Sequence, residues 1–360
     1  MHVAICGGGV IGAACAYFLG RRGVAVTVIE RRGVACAASG KSGGFLALDW
    51  CDGGPLAPLA RRSFALHADL AETLGIDWGY RRLTTYGGYG GRGAGEGRHR
   101  LPWVADDVVL SQRLGGPETT AQVHPALFTR ALMDAAPGAT LRIGEVTGLH
   151  RDGDRAAGVL VDGAVVEADA VVVAMGPWSI LAARWLPLAG VYGLKGHSLV
   201  FATGDRVPAD SLFLDYRDPS GTAYAPEVFP RADGTTYVCA ISSESPLPVD
   251  PAAVVPDPGA IERLEAMCRA LSPVLADAPI LARQACFRPV TQDGLPLIGA
   301  VPGLADAYVA TGHSVWGILN APATGEAMAE LILDGAAARL DLAPFAPGRL
   351  PPLDPARLGG

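Results

Sequence analysis

The tightest constraint on this chain lies in its first thirty residues. His2 to Cys6 reads as a short apolar strand, and Gly7-x-Gly9-x-x-Gly12 follows it without a break. Ile11, Cys15, Phe18 and Leu19 then recur at helical spacing up to Arg22-Gly23, and Val24 to Ile29 is a second buried strand closed by Glu30. Together these make a βαβ unit, in which each glycine has a separate task. Gly7 permits the tight turn, Gly9 lets backbone approach a pyrophosphate, and Gly12 lets the helix pack closely on the sheet. The start of the helix, at Val10 and Ile11, turns its free N–H groups and positive end toward the anion. Glu30 stands where a carboxylate accepts a ribose hydroxyl pair, and Arg31 follows it. The spacing specifies a dinucleotide. It does not separate FAD from NAD.

Composition narrows the class of partner. Half of the 360 residues are apolar and 18% are charged, as in a globular chain with a sizeable core. The formal net charge of −7 argues against a nucleic-acid surface, which needs a clustered basic excess. The seven cysteines are scattered, with no CxxC and no Cys/His cluster. No disulfide framework and no metal site is expected, and a reducing, cytoplasmic compartment fits best. The apolar start is not expected to serve as a signal peptide, because Arg21 and Arg22 follow it and glycines interrupt it. Ala170 to Leu194 is broken by Gly176-Pro177 and holds Arg184, so no membrane span is expected. Lys41 and Lys195 are the only lysines, both in glycine-flanked segments, which makes each a candidate for a task arginine cannot fill.

Further along, Pro58 to Leu74, Pro125 to Ala135 and Ile261 to Ala270 read as helices. Strands are expected at Thr140 to Ile143, Val159 to Val161, Ala170 to Met175, His197 to Ala202, Ala223 to Phe229 and Thr236 to Ile241. A strand after Arg283, a turn at Asp293-Gly294 and a strand around Tyr308 lead to a last helix. That helix is expected from about Asn320, with Pro322 in its first turn, to a Gly335 stop. Gly87 to Gly97 reads as a mobile loop, and the proline-rich end after Ala343 as a surface tail.

Several segments carry a family resemblance. Ala37-Ala38-Ser39-Gly40-Lys41-Ser42-Gly43-Gly44-Phe45 follows the second strand and is small, hydroxylated and glycine-rich, as backbone lying along a phosphate–ribityl chain would be. Gln122-Val123-His124-Pro125 opens a helix, with His124 read as a helix cap or packing residue, and Gly176-Pro177-Trp178-Ser179 ends a buried strand. The most specific block is Cys286-Phe287-Arg288-Pro289-Val290-Thr291-x-Asp293-Gly294-x-Pro296-x-Ile298-Gly299. Thr311-Gly312-His313-x-x-x-Gly317 and Ala321-Pro322-Ala323-Thr324-Gly325 follow it. The chain resembles the D-amino acid oxidase/glycine oxidase family, within a branch described simply as FAD-dependent oxidoreductases.

The resemblance implies an α/β fold. A discontinuous Rossmann-type FAD-binding domain is expected from residues 1–80, 120–190 and 284–345. A substrate domain with a mostly antiparallel sheet is expected from 81–119 and 191–283, and a tail from 346–360. The implied cofactor is FAD, bound without a covalent link. Gly7, Gly9, Val10, Ile11, Gly12, Glu30, Arg31, the run Ser39, Gly40, Lys41, Ser42, Gly43 and Gly44, together with Val146, Gly176 and Trp178, are expected around it. Gly312, His313, Gly317 and Ile318 complete the set, the last two against the pyrimidine edge of the flavin, where a helix N-terminus stabilises negative charge.

The resemblance gives Arg288 the substrate carboxylate, a task suited to a permanently charged guanidinium fork. Lys195 is a candidate catalytic charge near the flavin that helps oxygen react, and Lys41 a candidate phosphate contact. In one place the chain departs from glycine oxidases: Val315-Trp316 stands where they carry a polar, arginine-bearing turn. Trp316 thus becomes a candidate substrate contact, and the expectation is either a substrate bulkier or more apolar than glycine or a closed-off site. The implied reaction is hydride transfer from a carbon bearing an amine to flavin N5, with O2 or another acceptor reoxidising the cofactor. The alternatives are oxidation of a 2-hydroxy acid on the same fold and a non-catalytic flavoprotein with an interaction role. The oligomeric state is left open.

Overall fold

A computed structural model describes residues 1–91 and 99–358. Its first sheet has six strands in the order Leu297–Ala300, Ala307–Thr311, Ala170–Val173, His2–Cys6, Ala25–Glu30 and Ala139–Ile143. All neighbours are parallel except the hairpin of the first two. A parallel sheet must be covered on both faces, which is why Val3 to Cys6 and Ala170 to Val173 are apolar at every position. On one face lie α1 (Val10–Gly20), α2 (Ala57–Leu74), α3 (Pro125–Asp134) and a long C-terminal helix, Gly317–Asp334. The other face is covered by the turn stretch Gly176–Arg184 and a three-stranded antiparallel sheet built from residues 146–167.

A second, mostly antiparallel sheet is assembled from residues 84–91, 109–115, 192–243 and 280–290. Its strands run in the order Ile280–Val290, Tyr192–Ala202, Thr235–Ser243, Glu227–Pro230, Asp210–Arg217, Thr84–Gly91 and Val109–Gly115. One pair, Asp210–Arg217 with Thr84–Gly91, is parallel. One face packs on α4 (Ala260–Leu271) and α5 (Pro273–Asp277). Strand alternation turns the other face, with Phe229, Tyr237, Cys239, Cys286 and Arg288, toward the glycine turns of the first sheet. The chain returns to the first sheet between Val290 and Leu297.

Four local expectations change. Gly87 to Gly91 is the end of a paired strand rather than a loop, its glycines letting neighbouring strands approach: a Cβ at Gly88 would lie 2.1 Å from the Val109 carbonyl oxygen. The rest of that expected loop, 92–97, lies outside the described residues. Ala223 to Phe229 divides at Ala225-Pro226 into two short strands, because proline cannot donate to the ladder. The proline-rich end is not a loose tail. Phe345 is buried, and Arg349 pairs with Asp293 at 2.7 Å while donating to the Leu295 and Pro296 carbonyls.

The fourth change concerns the last helix, α6, which starts at Gly317, three residues before the expected Asn320. Pro322 therefore sits inside it and leaves the Ile318 carbonyl without its i+4 donor. Helix α2 repairs the defect. His67 Nε2 donates to the Ile318 and Leu319 carbonyls at 3.0 and 3.2 Å, and Ser63 Oγ accepts the Ala323 N–H at 3.0 Å. His67 is fully buried, which pushes its pKa down to about 4 and keeps the ring a neutral donor near pH 7. Gly325 lets α6 cross α1 closely, since a Cβ there would meet the Ala14 carbonyl carbon at 2.6 Å. These contacts fix the direction of the α6 N-terminus.

Candidate cofactor and substrate site

Two cavities of about 780 and 980 Å³ lie end to end between the sheets, sharing a wall of Gly9, Ala38, Ser39, Ala174, Gly176 and Pro177. The first opens on the Gly7–Gly9 turn. Gly7 has φ +114°, and a Cβ there would stand 2.4 Å from the Ala174 carbonyl oxygen. A Cβ on Gly12 would lie 2.0 Å from the Gly7 carbonyl oxygen, so these two glycines are demanded by the strand–helix packing itself. Gly9 differs: an added Cβ would meet only Ser39 Oγ, at 3.1 Å, and would otherwise project into open space. The helix that starts there has no side-chain cap from Gly9, and Ser39 Oγ accepts the Val10 N–H at 2.9 Å. Glu30 borders the same cavity. Its carboxylate accepts from the Gly8 N–H at 2.7 Å and the Arg32 N–H at 3.0 Å, which orients it and leaves lone pairs for a ligand.

Val146, Arg31 and Trp178 line the far end. Arg31 is held by Glu145 at 2.7 Å, and Trp178 Nε1 donates to the Pro248 carbonyl at 2.8 Å. Arg31 also donates to the Val249 carbonyl, Arg32 Nε reaches Asp250 at 2.8 Å, and Pro251 joins the lining. A segment from the second sheet is thereby strapped across this cavity.

The second cavity brings together Ile11, Ser42, Gly43, Gly312, His313, Gly317 and Ile318 from the expected set, with Arg288 opposite them. Thr311 Oγ1 donates to the Gly176 carbonyl at 3.0 Å and accepts from Ser179 at 2.8 Å, tying the two glycine turns together. Ser314, next to the α6 N-terminus, has φ +49°, a conformation that costs a non-glycine residue about 1–2 kcal/mol and recurs at functional sites. His313 Nε2 bonds Thr324 Oγ1 at 3.1 Å, and burial pushes the ring's pKa down to about 3. Its Nδ1 and the Ser42 Oγ are buried beside the cavity with no protein partner.

Arg288 extends from the strand Ile280–Val290, and its Nη1 donates to Ser242 Oγ at 3.0 Å. Among the described residues no carboxylate lies within ion-pair distance of it. Glu227, Tyr237 and Cys239 share the cavity and were not among the residues expected there. Glu227 falls within the expected strand Ala223 to Phe229, with no chemical task attached to it. The usable signal was its place in Glu227-Val228-Phe229, an acid on a strand whose neighbours are buried.

Other expected residues stand elsewhere. Gly40 and Gly44 are packing glycines, with a Cβ 2.0 Å from the Ala35 and Val123 carbonyl oxygens respectively. Lys41 Nζ donates to the Ala285 carbonyl at 3.3 Å and borders neither cavity. Trp316 packs against the helical core, and Val315, more than half exposed, takes the cavity-facing place. The early start of α6 sets that rotation.

Lys195, expected near the flavin, borders neither cavity. Its neighbour Gly196 faces the cavity, so alternation sends Lys195 to the other side of the sheet, where Nζ pairs with Asp257 at 2.5 Å. Hydrogen bonds from Lys195, Ser243 and Ser245 hold the Asp257 carboxyl well below the usual range, and the Asp257 N–H donates to His197 Nε2 at 3.0 Å. The node locks the loop before α4 to the second sheet. Lys195→Met is therefore expected to lower stability by about 2 kcal/mol, as loss of a charge-assisted hydrogen bond does. The rate at which oxygen reoxidises the reduced protein is expected to stay unchanged. A slowed reoxidation in stopped-flow absorbance would return Lys195 to the flavin.

Comparison with known proteins agrees with this architecture. The profile of the family described as FAD dependent oxidoreductase matches residues 2–331. A Schizosaccharomyces pombe protein, described no further than as an oxidoreductase, is 31% identical over 95% of this chain and 97% of its own. The glycine oxidase of Geobacillus kaustophilus is 29% identical over 95% of both chains. The crystal structure of glycine oxidase from that organism superposes with a TM-score of 0.81, covering 97% of this chain and 98% of the other at 28% identity. The chain belongs to the FAD-dependent oxidoreductase family that includes the glycine oxidases, and it is an enzyme that works with FAD.

Proposed function

We propose that this enzyme oxidises the C–N bond of an amino acid or related amine, with FAD lying across both cavities and Arg288 holding the substrate carboxylate. The observation that carries the reading is the guanidinium of Arg288, which lines the second cavity with a serine hydroxyl as its hydrogen-bond partner and, among the described residues, no carboxylate paired to it. A charge left in that state is complementary to an anionic ligand.

The residues present fit FAD. Gly9 leaves room for a pyrophosphate at the α1 N-terminus, and Glu30 offers a carboxylate for the ribose hydroxyls. Val146 and Trp178 supply apolar surface for adenine. In the second cavity Ser42 and His313 line the space an isoalloxazine ring would fill, and Gly317 and Ile318 would offer helix N–H groups to it. When bound, FAD supplies the hydride acceptor at N5. The chain's own contribution is orientation, exclusion of water and fixed charge. Val315 makes the rim apolar, which suits a substrate bulkier than glycine.

Among the described residues no helix is long and apolar enough to cross a membrane. All seven cysteines are free thiols, which supports a reducing compartment such as the cytoplasm. The test is an anaerobic screen of the FAD-loaded enzyme against α-amino acids, N-methylated amino acids and 2-hydroxy acids. Loss of the visible flavin band with amino compounds is expected. Bleaching by hydroxy acids alone would overturn the reading.

A further inference from the structure

The cavity that holds Arg288 holds a second ionisable group, placed to read the other end of a zwitterion. Glu227 lies on the short strand Glu227–Pro230, directly across from Cys239 in the antiparallel ladder, and both side chains face the second cavity. The Cys239 thiol sits 3.5 Å from Glu227 Oε2. No lysine, arginine or histidine lies within ion-pair distance of the carboxyl among the described residues. Arg288 and Glu227 thus share one pocket without closing on each other.

Glu227 is half-buried, and a carboxyl partly withdrawn from water without a paired cation is stabilised by a positive ligand. The surroundings of Glu227 favour the same sign. Glu227 also borders a shallow outer groove of about 550 Å³ between Gly87 and Pro226. That groove carries Asp215 and, among the described residues, no lysine or arginine.

We propose that Glu227 receives the substrate's ammonium group while Arg288 holds its carboxylate, so that the pocket selects α-amino acids over 2-hydroxy acids. The assignment rests on the amino-acid reading above and adds the residue that enforces it. The proton balance follows from the placement. An ammonium has no lone pair to push, so one N–H proton passes to the Glu227 carboxylate and leaves a neutral amine. Bound FAD would accept the Cα hydride with its electron pair, which would leave the C–N bond as an iminium. Water hydrolyses that product to the keto acid and releases the nitrogen as ammonia or an amine. Burial pushes the Glu227 carboxyl up, opposed by the charge of Arg288, which brings its proton affinity nearer to that of the amine it serves. A hydroxy acid offers no cation to Glu227. It would leave the carboxyl buried against a neutral hydroxyl.

The test uses the FAD-loaded enzyme and the best amino acid from the anaerobic screen, with its 2-hydroxy and desamino counterparts as probes. Binding is read from perturbation of the flavin spectrum and turnover from anaerobic reduction. In the native enzyme the amino acid should bind at least about 10-fold more tightly than its hydroxy counterpart, a typical margin for one charge-assisted contact. Glu227→Gln should erase that margin and slow flavin reduction on the order of 100-fold, while affinity for the desamino acid stays within about threefold. Glu227→Asp keeps the charge and should restore part of the preference, which separates a role in recognition from damage to the fold. If Glu227→Gln keeps FAD and keeps the amino-acid preference, the assignment of Glu227 is wrong and the amino-acid reading stands. If the native enzyme itself is reduced only by hydroxy acids, the amino-acid reading fails first. If neither variant retains FAD, Glu227 is a structural acid and the proposal falls.

Discussion

Arg288→Met should lower kcat/KM for a carboxylate-bearing substrate by about 1,000-fold without displacing FAD. Arg288 bonds Ser242 and, among the described residues, forms no ion pair, so its removal breaks no salt bridge and the protein should stay folded, although Glu227 loses a charge that favours its ionised form. What is lost is the fixed charge that orients the substrate. Truncating one partner of a desolvated charge pair costs roughly 2–5 kcal/mol, and each 1.4 kcal/mol is a factor of ten. Arg288→Lys should recover only part of the loss, because a point charge does not reproduce the two-pronged fork. Steady-state kinetics on both variants, with FAD content from the absorbance spectrum, read this directly. A methionine variant that turns over within about tenfold of the native enzyme would show that Arg288 holds no substrate.

The second large effect is on the cofactor. Gly12→Ala would put a methyl group 2.0 Å from the Gly7 carbonyl oxygen, which is backbone and has no rotamer to escape into. The start of α1 must then move off the strand, and with it the N–H groups that face the first cavity. Overpacking of this kind costs about 1–3 kcal/mol, and since it falls on the binding geometry the FAD dissociation constant should rise by up to about 100-fold. The purified variant should be pale, with its melting temperature rescued by excess FAD through mass action. A variant as yellow and as stable as the native protein would mean that α1 does not hold the pyrophosphate.

What was legible in the sequence follows a physical division. The βαβ start could be read because its signals are local: strand, glycine turn and helix are set by residues within thirty positions of each other. His124 could be read as a cap for the same reason, and its Nδ1 accepts the Leu127 N–H at 3.4 Å. Side-chain direction on distant elements could not be read. Whether Lys195 or Gly196 faces the flavin side depends on the register between the strand Tyr192–Ala202 and its neighbours, and one residue of slip exchanges them. Whether Val315 or Trp316 lines the pocket depends on where α6 begins. That start is fixed by His67 and Ser63 on α2, some 250 residues earlier in the chain. Glu227 escaped notice because an acid on a strand becomes meaningful only once Arg288, from another strand of the sheet, is seen across the same cavity. The strap through Pro248 to Pro251 has no local signature at all.

The most direct measurement is a crystal structure of the FAD-loaded enzyme with a bound carboxylate inhibitor. The adenosine end is expected between Glu30 and Val146, and the pyrophosphate at Gly9 and the α1 N-terminus. The isoalloxazine ring should lie between Gly43 and Gly317, with the inhibitor carboxylate on the Arg288 guanidinium. An inhibitor held away from Arg288, or a flavin ring outside the cavity bounded by Gly43, His313 and Gly317, would contradict this placement.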